Sequence, residues 1–271
     1  MKITAAAIQL KPLGSTEANL GSAKELLQQA ADAGAQLAVL PENFAYYGQR
    51  EFAQIGLLEA NDQGPVRRFL ADQAKTLGLW LVAGTLPVAD NQAKPFARSY
   101  VFNPQGKVVD LYDKIHLFDA DVTTGARQTI YKESDDFLAG QRVTTVPTEL
   151  ATLGLTVCYD LRFAELYHQL AETGAEIITV PAAFTSATGR DHWQLLLRAR
   201  AVENQLFVIG ANMVDRDHRN RGLWGGSAII DPWGTVLAVL DDQPGVVVAE
   251  IDTQMIARVR AKMPIAQHRK L

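Results

Sequence analysis

Residues 151–184, ATLGLTVCYDLRFAELYHQLAETGAEIITVPAAF, have the pattern of a strand, a helix and a second strand. GLTVCYD at 154–160 and AEIITVPAAF at 175–184 are mostly apolar, which predicts strands that are buried on both faces. The apolar residues between them recur at helical spacing and are followed by a glycine: Phe163, Leu166, Tyr167, Leu170 and Gly174. This stretch therefore predicts an α/β fold.

The same alternation of strands and helices extends along the chain. Further apolar runs predict strands: KITAAAIQL, AQLAVLPE, LWLVAGTLPV, RSYVFN, LFVIGANMV, SAIIDP and GVVVAEID. Amphipathic stretches predict helices: SAKELLQQAADAGA, HWQLLLRARAVENQ and TQMIARVRAKM. NPQG at 103–106 and DPWG at 231–234 predict tight turns between antiparallel strands. We therefore expect mixed sheets covered by helices, in a multilayer α/β sandwich that forms one domain over residues 1–271.

The composition narrows the range of partners. The 271 residues carry a formal net charge of −4 and a sequence pI of about 5.8, which argues against nucleic acid or an anionic membrane as a partner. No apolar run reaches the roughly 20 residues of a membrane span. The N-terminal MKITAAAIQLKPLG lacks the apolar length of a signal peptide. Because the single cysteine cannot form an internal disulfide, we expect a cytoplasmic protein.

Three reactive side chains stand at the ends of apolar runs: Glu42, Lys114 and Cys158. Active sites of layered α/β folds are usually built at strand ends. Taken singly, each residue has a simpler explanation, as a loop carboxylate, a surface lysine and a core cysteine. Taken together, a carboxylate base, a stabilising ammonium and a thiol nucleophile suit acyl transfer. We therefore expect the three to form one site.

Other chemistries have less support. A cysteine–histidine pair would need His192 or His218, and neither lies in the expected motif context. A nucleophile elbow of the G-x-S-x-G type has glycines beside the nucleophile, and TVCYD has none. The histidines lack metal-ligand spacing, and the glycine motifs of nucleotide binding do not occur. We therefore expect neither a metal nor a cofactor.

Several motifs, in this order, resemble those of the nitrilase superfamily of carbon-nitrogen hydrolases. They are LPENF at 40–44, YDKIHLFD at 112–119, ESDDFLAG at 133–140, VCYDLRFAEL at 157–166, the segment at 180–205 and DPWGTVLA at 231–238. The resemblance covers almost the whole chain. It implies a four-layer α-β-β-α sandwich that pairs through its helices, so we expect a homodimer or a larger homo-oligomer.

The resemblance also implies roles for individual residues. The catalytic triad of the family falls on Glu42, Lys114 and Cys158, and a second family glutamate matches Glu133. Lys114 and the backbone N–H of Tyr159 would stabilise the oxyanion. Two carboxylates in one small space should raise the pKa of one of them.

Three further residues are candidates for substrate binding. Arg162 would pair with a substrate carboxylate, or would instead brace the turn through an ion pair with Asp160 or Glu165. Phe184 follows the strand after the nucleophile strand and would line the pocket. His192 would border the pocket or simply pack.

The sequence is similar to the small-amidase branches of the family, which contain ω-amidases and deaminated-glutathione amidases. True nitrilases tend to carry Cys-Trp-Glu where this chain has Cys158-Tyr159-Asp160, so the expected substrate is a small carboxylate-bearing amide. An N-carbamoyl amino-acid hydrolase, a nitrilase and a non-catalytic binding protein are the alternatives. Gly226 stands where related branches often have histidine, which predicts a local difference in the pocket or interface.

Overall fold

The computed structural model describes residues 1–60, 64–90, 93–123, 129–216 and 222–270. The strands are β1 (Lys2–Gln9), β2 (Leu37–Val39), β3 (Trp80–Val82), β4 (Leu86–Val88), β5 (Phe96–Phe102), β6 (Val108–Asp113), β7 (Asp119–Asp121), β8 (Ile130–Lys132), β9 (Thr145–Pro147), β10 (Thr152–Leu155), β11 (Ile177–Ala182), β12 (Phe207–Asn212), β13 (Val214–Asp215), β14 (Leu223–Trp224), β15 (Ala228–Ile230), β16 (Val236–Val239) and β17 (Gly245–Asp252). The helices are α1 (Thr16–Asp32), α2 (Phe52–Glu59), α3 (Pro65–Leu77), α4 (Ala164–Glu172), α5 (Ser186–Asn204), α6 (Gln254–Lys262) and α7 (Ile265–His268). Short 3-10 turns span Glu133–Asp135 and Cys158–Arg162.

The first of the two large sheets has the strand order β17-β1-β2-β3-β5-β4, with β6 also paired to β5. β1, β2 and β3 are parallel, whereas β5 and β6 form the antiparallel hairpin predicted from NPQG. The Gly106 N–H closes that turn by donating to the Asn103 carbonyl at 2.8 Å. Because two antiparallel steps separate β6 from β3, both strands run in the same direction.

The second sheet has the order β16-β15-β12-β11-β10-β9 and contains the predicted strand–helix–strand unit as β10, α4 and β11. β10 and β11 are parallel, and every residue of β11 is buried. β10 ends at Leu155, earlier than the apolar run suggested, because the chain turns at Cys158. Phe163 does not join the buried face of α4 as predicted. It precedes the helix, and its ring stacks on His116.

Alternating side chains of β1 show how the layers pack. Ala5 and Ala7 belong to the hydrophobic cluster shared with the second sheet, whereas Ala6 and Ile8 belong to the cluster under α1 and α3. Apolar residues of α4 and α5 pack on the second sheet: Leu166, Tyr167, Leu170, Trp193 and Leu197. The predicted four-layer α-β-β-α sandwich is therefore confirmed.

The two sheets are aligned so that the carboxyl ends of their parallel strands lie at one end of the molecule. Leu10, just after β1, forms a parallel bridge with Met213, just after β12, and the Val214 N–H donates to the Leu10 carbonyl at 2.8 Å. The loops after β2, β6, β10 and β11 therefore meet. Gly84 packs here with a φ of 61°, and a Cβ on it would lie 2.0 Å from the Pro41 carbonyl oxygen, so only glycine fits beside this loop.

Candidate active site

Lys114 lies at the centre of this end of the sandwich. It directly follows β6, and its side chain is 2% exposed. Its Nζ donates to Glu42 Oε1 at 2.7 Å and to the two carboxylate oxygens of Glu133 at 2.9 and 2.8 Å. A buried ammonium needs such partners because burial removes its hydration. Lys114 thus contacts two of the other residues predicted for the site, Glu42 and Glu133.

Glu42 connects the two sheets. It follows β2 in the first sheet, and its Oε2 accepts a hydrogen bond from the Ala183 N–H at 3.0 Å, just after β11 in the second. With Oε1 bound to Lys114, both oxygens have a fixed partner. The carboxylate is therefore held in one orientation toward the cleft.

Glu133 begins a 3-10 turn, and its Oε2 also accepts a hydrogen bond from the Phe118 N–H at 2.6 Å. Burial raises the pKa of Glu133, the charge of Lys114 opposes this rise, and the charge of Glu42 adds to it. The prediction that one carboxyl pKa rises is confirmed for Glu133. Its main cause, however, is loss of solvent rather than repulsion between the carboxylates.

Cys158 occupies a strained backbone position. Its φ is 46°, in the left-handed region, and it begins the 3-10 turn after an extended Val157. The strand–turn–helix path is that of a nucleophile elbow, which the sequence argued against because no glycine flanks the cysteine. That argument was wrong, since Cys158 itself adopts the left-handed conformation, at a cost of roughly 1–2 kcal/mol.

The surroundings of Cys158 favour a neutral thiol. Burial raises its pKa well above the usual range, and the charge of Glu42 raises it further, whereas Lys114 lowers it. Lys114 therefore favours the thiolate, as its charge should, but its effect is smaller than those of burial and Glu42. The pKa of Lys114 is itself well above its usual value, because the charges of Glu133 and Glu42 outweigh the effect of burial. A base must remove the thiol proton when the sulfur attacks.

Two cavities meet at Cys158. The larger, an open cleft of about 1000 Å³, is lined by polar groups that include Glu42, Lys114 and Glu133. The smaller, of about 20 Å³, lies between Cys158 and the side chains of Arg162 and Phe184. A cavity of that size holds about one water molecule. Cys158 thus borders both the cleft and a small chamber.

Arg162 does not form the alternative ion pair with Asp160 or Glu165. Within the described parts of the chain no carboxylate lies within salt-bridge distance of it, and its Nη1 lies 3.2 Å from His192 Nδ1. Its guanidinium lies over the rings of Phe184 and Tyr159, at 5.2 and 5.7 Å from their centroids. The guanidinium charge is therefore not neutralised by a described acidic neighbour.

The remaining candidates occupy different surroundings. Phe184 and Tyr159 line the small chamber, whereas His192 is exposed and contacts the site through Arg162. The oxyanion role of the Tyr159 N–H stays a prediction, and His218 lies outside the described residues. Gly226 has a φ of 72° and its carbonyl accepts from Trp193 Nε1 at 2.8 Å, so a larger residue would be strained beside that ring.

Three groups that contact the site were not predicted from the sequence. The Phe118 N–H holds Glu133, and buried Asp160 pairs at 2.7 Å with half-buried His116 behind the turn that contains Cys158. An aspartate directly after an apolar run was a usable signal for the pair, because a buried carboxylate requires several donors.

In the described ranges, no helix has the length and apolar character of a membrane span, and no group of three or more His, Cys, Asp or Glu side chains is arranged to hold a metal ion.

The fold and site define a thiol hydrolase, with a cysteine beside a carboxylate and a buried ammonium. The chain belongs to the carbon-nitrogen hydrolase family of the nitrilase superfamily, which it matches over residues 4–261. It is 38% identical to the deaminated glutathione amidase of Synechocystis sp. (strain PCC 6803 / GT-S), over 98% of this chain and 97% of that protein. It is 36% identical to omega-amidase NIT2 of Danio rerio, over 99% and 95% of the two chains.

A solved structure gives the same assignment. Saccharomyces cerevisiae Nit3, a member of branch 10 of the nitrilase superfamily, matches with a TM-score of 0.89 and 30% identity, over 100% of this chain and 97% of that one. The resemblance predicted from the sequence motifs is confirmed. The protein is a hydrolase that acts on carbon–nitrogen bonds.

Replacing Glu42 should have opposite effects on turnover and on thiol acidity. Glu42→Gln removes the predicted base, so kcat should fall at least about 100-fold. It also removes a charge that raises the pKa of Cys158, so the midpoint of the pH profile for iodoacetamide alkylation should fall. The matched control Glu133→Gln removes a negative charge that contacts Lys114 and should shift this midpoint less. A midpoint that rises in Glu42→Gln would contradict the electrostatic assignment.

Proposed function

We propose that the protein hydrolyses a small, carboxylate-bearing amide to the acid and ammonia, with Cys158 as nucleophile and without a cofactor. The observation that carries this proposal is the contact of the Lys114 ammonium with both Glu42 and Glu133 at the cleft that contains the thiol. This arrangement supplies a base, an electrostatic stabiliser and a nucleophile in one place.

The first half of the reaction forms a thioester. Glu42 accepts the proton of the Cys158 thiol as the sulfur attacks the amide carbon, and the carbonyl oxygen becomes an oxyanion. Lys114 and the backbone N–H of Tyr159 stabilise that charge. Glu42 then donates the proton to the amide nitrogen, the carbon–nitrogen bond breaks and ammonia leaves. The acyl group remains on the sulfur.

The second half releases the acid. Glu42, again a carboxylate, takes a proton from a water molecule that attacks the thioester carbon, and the carbon–sulfur bond breaks as the proton returns to sulfur. Glu133 binds the Lys114 ammonium through both carboxylate oxygens and so helps to hold it in place. No change of oxidation state occurs, so the groups in the site suffice.

The proposed substrate class is an ω-amide of an α-keto acid, or deaminated glutathione. The names of the Synechocystis and Danio rerio relatives support it, as does Arg162, whose guanidinium lacks a described acidic partner and borders the chamber beside Cys158. In the described geometry this chamber has room for about one water molecule, so a carboxylate reaches Arg162 only if the chamber widens.

Replacing the nucleophile tests the activity directly. Cys158→Ala should keep the fold, because the side chain becomes only slightly smaller, and should lose ammonia release from every active amide. The panel should contain α-ketoglutaramate, deaminated glutathione, N-carbamoyl amino acids and a simple nitrile. With a slow substrate the wild type should gain the mass of one acyl group on Cys158. Normal turnover by Cys158→Ala, or an adduct on another residue, would refute the mechanism.

Arg162→Ala tests the carboxylate-binding role. If the guanidinium binds a substrate carboxylate, kcat/KM for an acidic amide should fall by a factor equivalent to about 2–4 kcal/mol, because the substrate charge loses its partner. A matched neutral amide should lose far less. Equal losses on both amides with a lowered melting temperature would show that Arg162 supports the turn through its contacts with His192 and the aromatic rings.

We also infer that the protein is a homodimer or a larger homo-oligomer of this single catalytic domain. Leu195 and Val202, one face of α5, are 65% and 43% exposed, and neighbouring Trp233 is 57% exposed. An apolar surface of this kind is typical of protein interfaces. A monomer mass by light scattering would refute this inference. Cytoplasmic residence, which suits a catalytic thiol because a reducing compartment keeps it unoxidised, stays a prediction.

A further inference from the structure

Asp160 is a buried carboxylate directly behind the nucleophile. It is the third residue of the turn that Cys158 begins, and it is 0% exposed. Its Oδ2 accepts hydrogen bonds from the Val157 N–H and from the Tyr112 hydroxyl, each at 2.8 Å. Val157 immediately precedes Cys158, whereas Tyr112 lies in β6. One oxygen therefore connects the nucleophile turn to the other sheet.

The second oxygen of Asp160 makes the same connection. Its Oδ1 accepts from the His116 N–H at 3.0 Å and pairs with His116 Nδ1 at 2.7 Å. Because a carboxylate oxygen is an acceptor, Nδ1 carries the hydrogen in this pair. Tyr112 and His116 stand two residues before and two residues after Lys114. The Asp160 carboxylate therefore binds residues 112–116, the lysine segment, on both sides of Lys114.

A stacked pair of rings supports the same contact. The His116 ring lies parallel to that of Phe163, with centroids 3.6 Å apart and an interplanar angle of 7°. Phe163 immediately follows the nucleophile turn. The imidazole is thus fixed by a hydrogen bond at its edge and by stacking on its face, which leaves it one orientation.

We propose that Asp160, Tyr112 and His116 are positioning residues that set the separation between the Lys114 ammonium and the Cys158 thiol. The proposal rests on the roles proposed for those two groups. Lys114 follows a strand of one sheet and Cys158 a strand of the other, so their separation depends on contacts across the sandwich. A displacement of about 1 Å can reduce a rate by about 100-fold. If Asp160 only stabilised its own turn, replacing Tyr112 or His116 would lower the stability of the fold and leave kcat unchanged.

Two matched tyrosine variants test the proposal. Tyr112 and Tyr167 are both fully buried. The Tyr112 hydroxyl donates to Asp160 and accepts from the Ile115 N–H at 3.3 Å, and the Tyr167 hydroxyl shares a hydrogen bond with Thr156 at 3.0 Å. Tyr112→Phe and Tyr167→Phe each remove one buried hydroxyl near the nucleophile turn. Only the first breaks a link to the lysine segment, so a general loss of packing would affect the two alike.

Tyr112→Phe should lower kcat by about 10-fold with KM nearly unchanged, because the groups that meet the transition state are misplaced. Its midpoint for iodoacetamide alkylation should move to higher pH, because Lys114 is the neighbour that lowers the pKa of Cys158 while Glu42 raises it. Tyr167→Phe should lower the melting temperature without changing either quantity. Equal kcat values and equal midpoints in the two variants would overturn the proposal.

The histidine offers a second pair in case Tyr112→Phe does not fold. His116→Phe keeps a ring to stack on Phe163 but has no Nδ1–H, whereas His116→Asn keeps an N–H donor in a similar place and loses the ring. If His116→Asn alone keeps the wild-type kcat and alkylation midpoint, positioning through Asp160 is supported. If His116→Phe alone keeps them, the proposal is overturned. Alkylation needs no substrate, so it tests the proposal even if the substrate assignment fails.

Discussion

The ammonium of Lys114, buried between two carboxylates, is the interaction on which the site depends. A cation almost without solvent is stable only when its charge is compensated, and Glu42 and Glu133 supply that compensation at 2.7–2.9 Å. Each carboxylate is in turn bound by a backbone N–H, of Ala183 or of Phe118. Removing Lys114 would leave two buried carboxylates with only backbone N–H donors as partners. The charge balance that stabilises this end of the fold is therefore also the arrangement proposed for catalysis.

Two tasks can be assigned to the Lys114 cation, to lower the pKa of the Cys158 thiol and to stabilise the oxyanion. Lys114 lowers the pKa of the Cys158 thiol, but burial and Glu42 raise it more, so the resting nucleophile keeps its proton. In the proposed mechanism the cation acts on the oxyanion, where charge develops only during the reaction. A neutral resting thiol also reacts more slowly with oxidants and alkylating agents than a thiolate would.

Much of the fold and site could be predicted from the sequence because the relevant signals are local. Unbroken apolar runs, turn motifs and charged residues at strand ends identified the layers and brought Glu42, Lys114 and Cys158 together. The conformation of Cys158 could not be predicted, because no glycine marks it. The partner of Arg162 was also missed, since the oxygens of Asp160 are taken by Val157 and by residues of the other sheet. Such contacts depend on the distance between sheets, which no local pattern encodes.

The small side chains of β1 affect the spacing of the two sheets. Ala5 and Ala7 lie where the two sheets face each other, and alanine allows the sheets to approach closely. Glu42 and Ala183, which share a hydrogen bond, belong to opposite sheets, as do Lys114 and Cys158. The thickness of the core layer thus sets the distances between the groups proposed to react. Substitutions between the sheets are therefore constrained by the chemistry at the end of the sandwich, even at positions that do not contact the substrate.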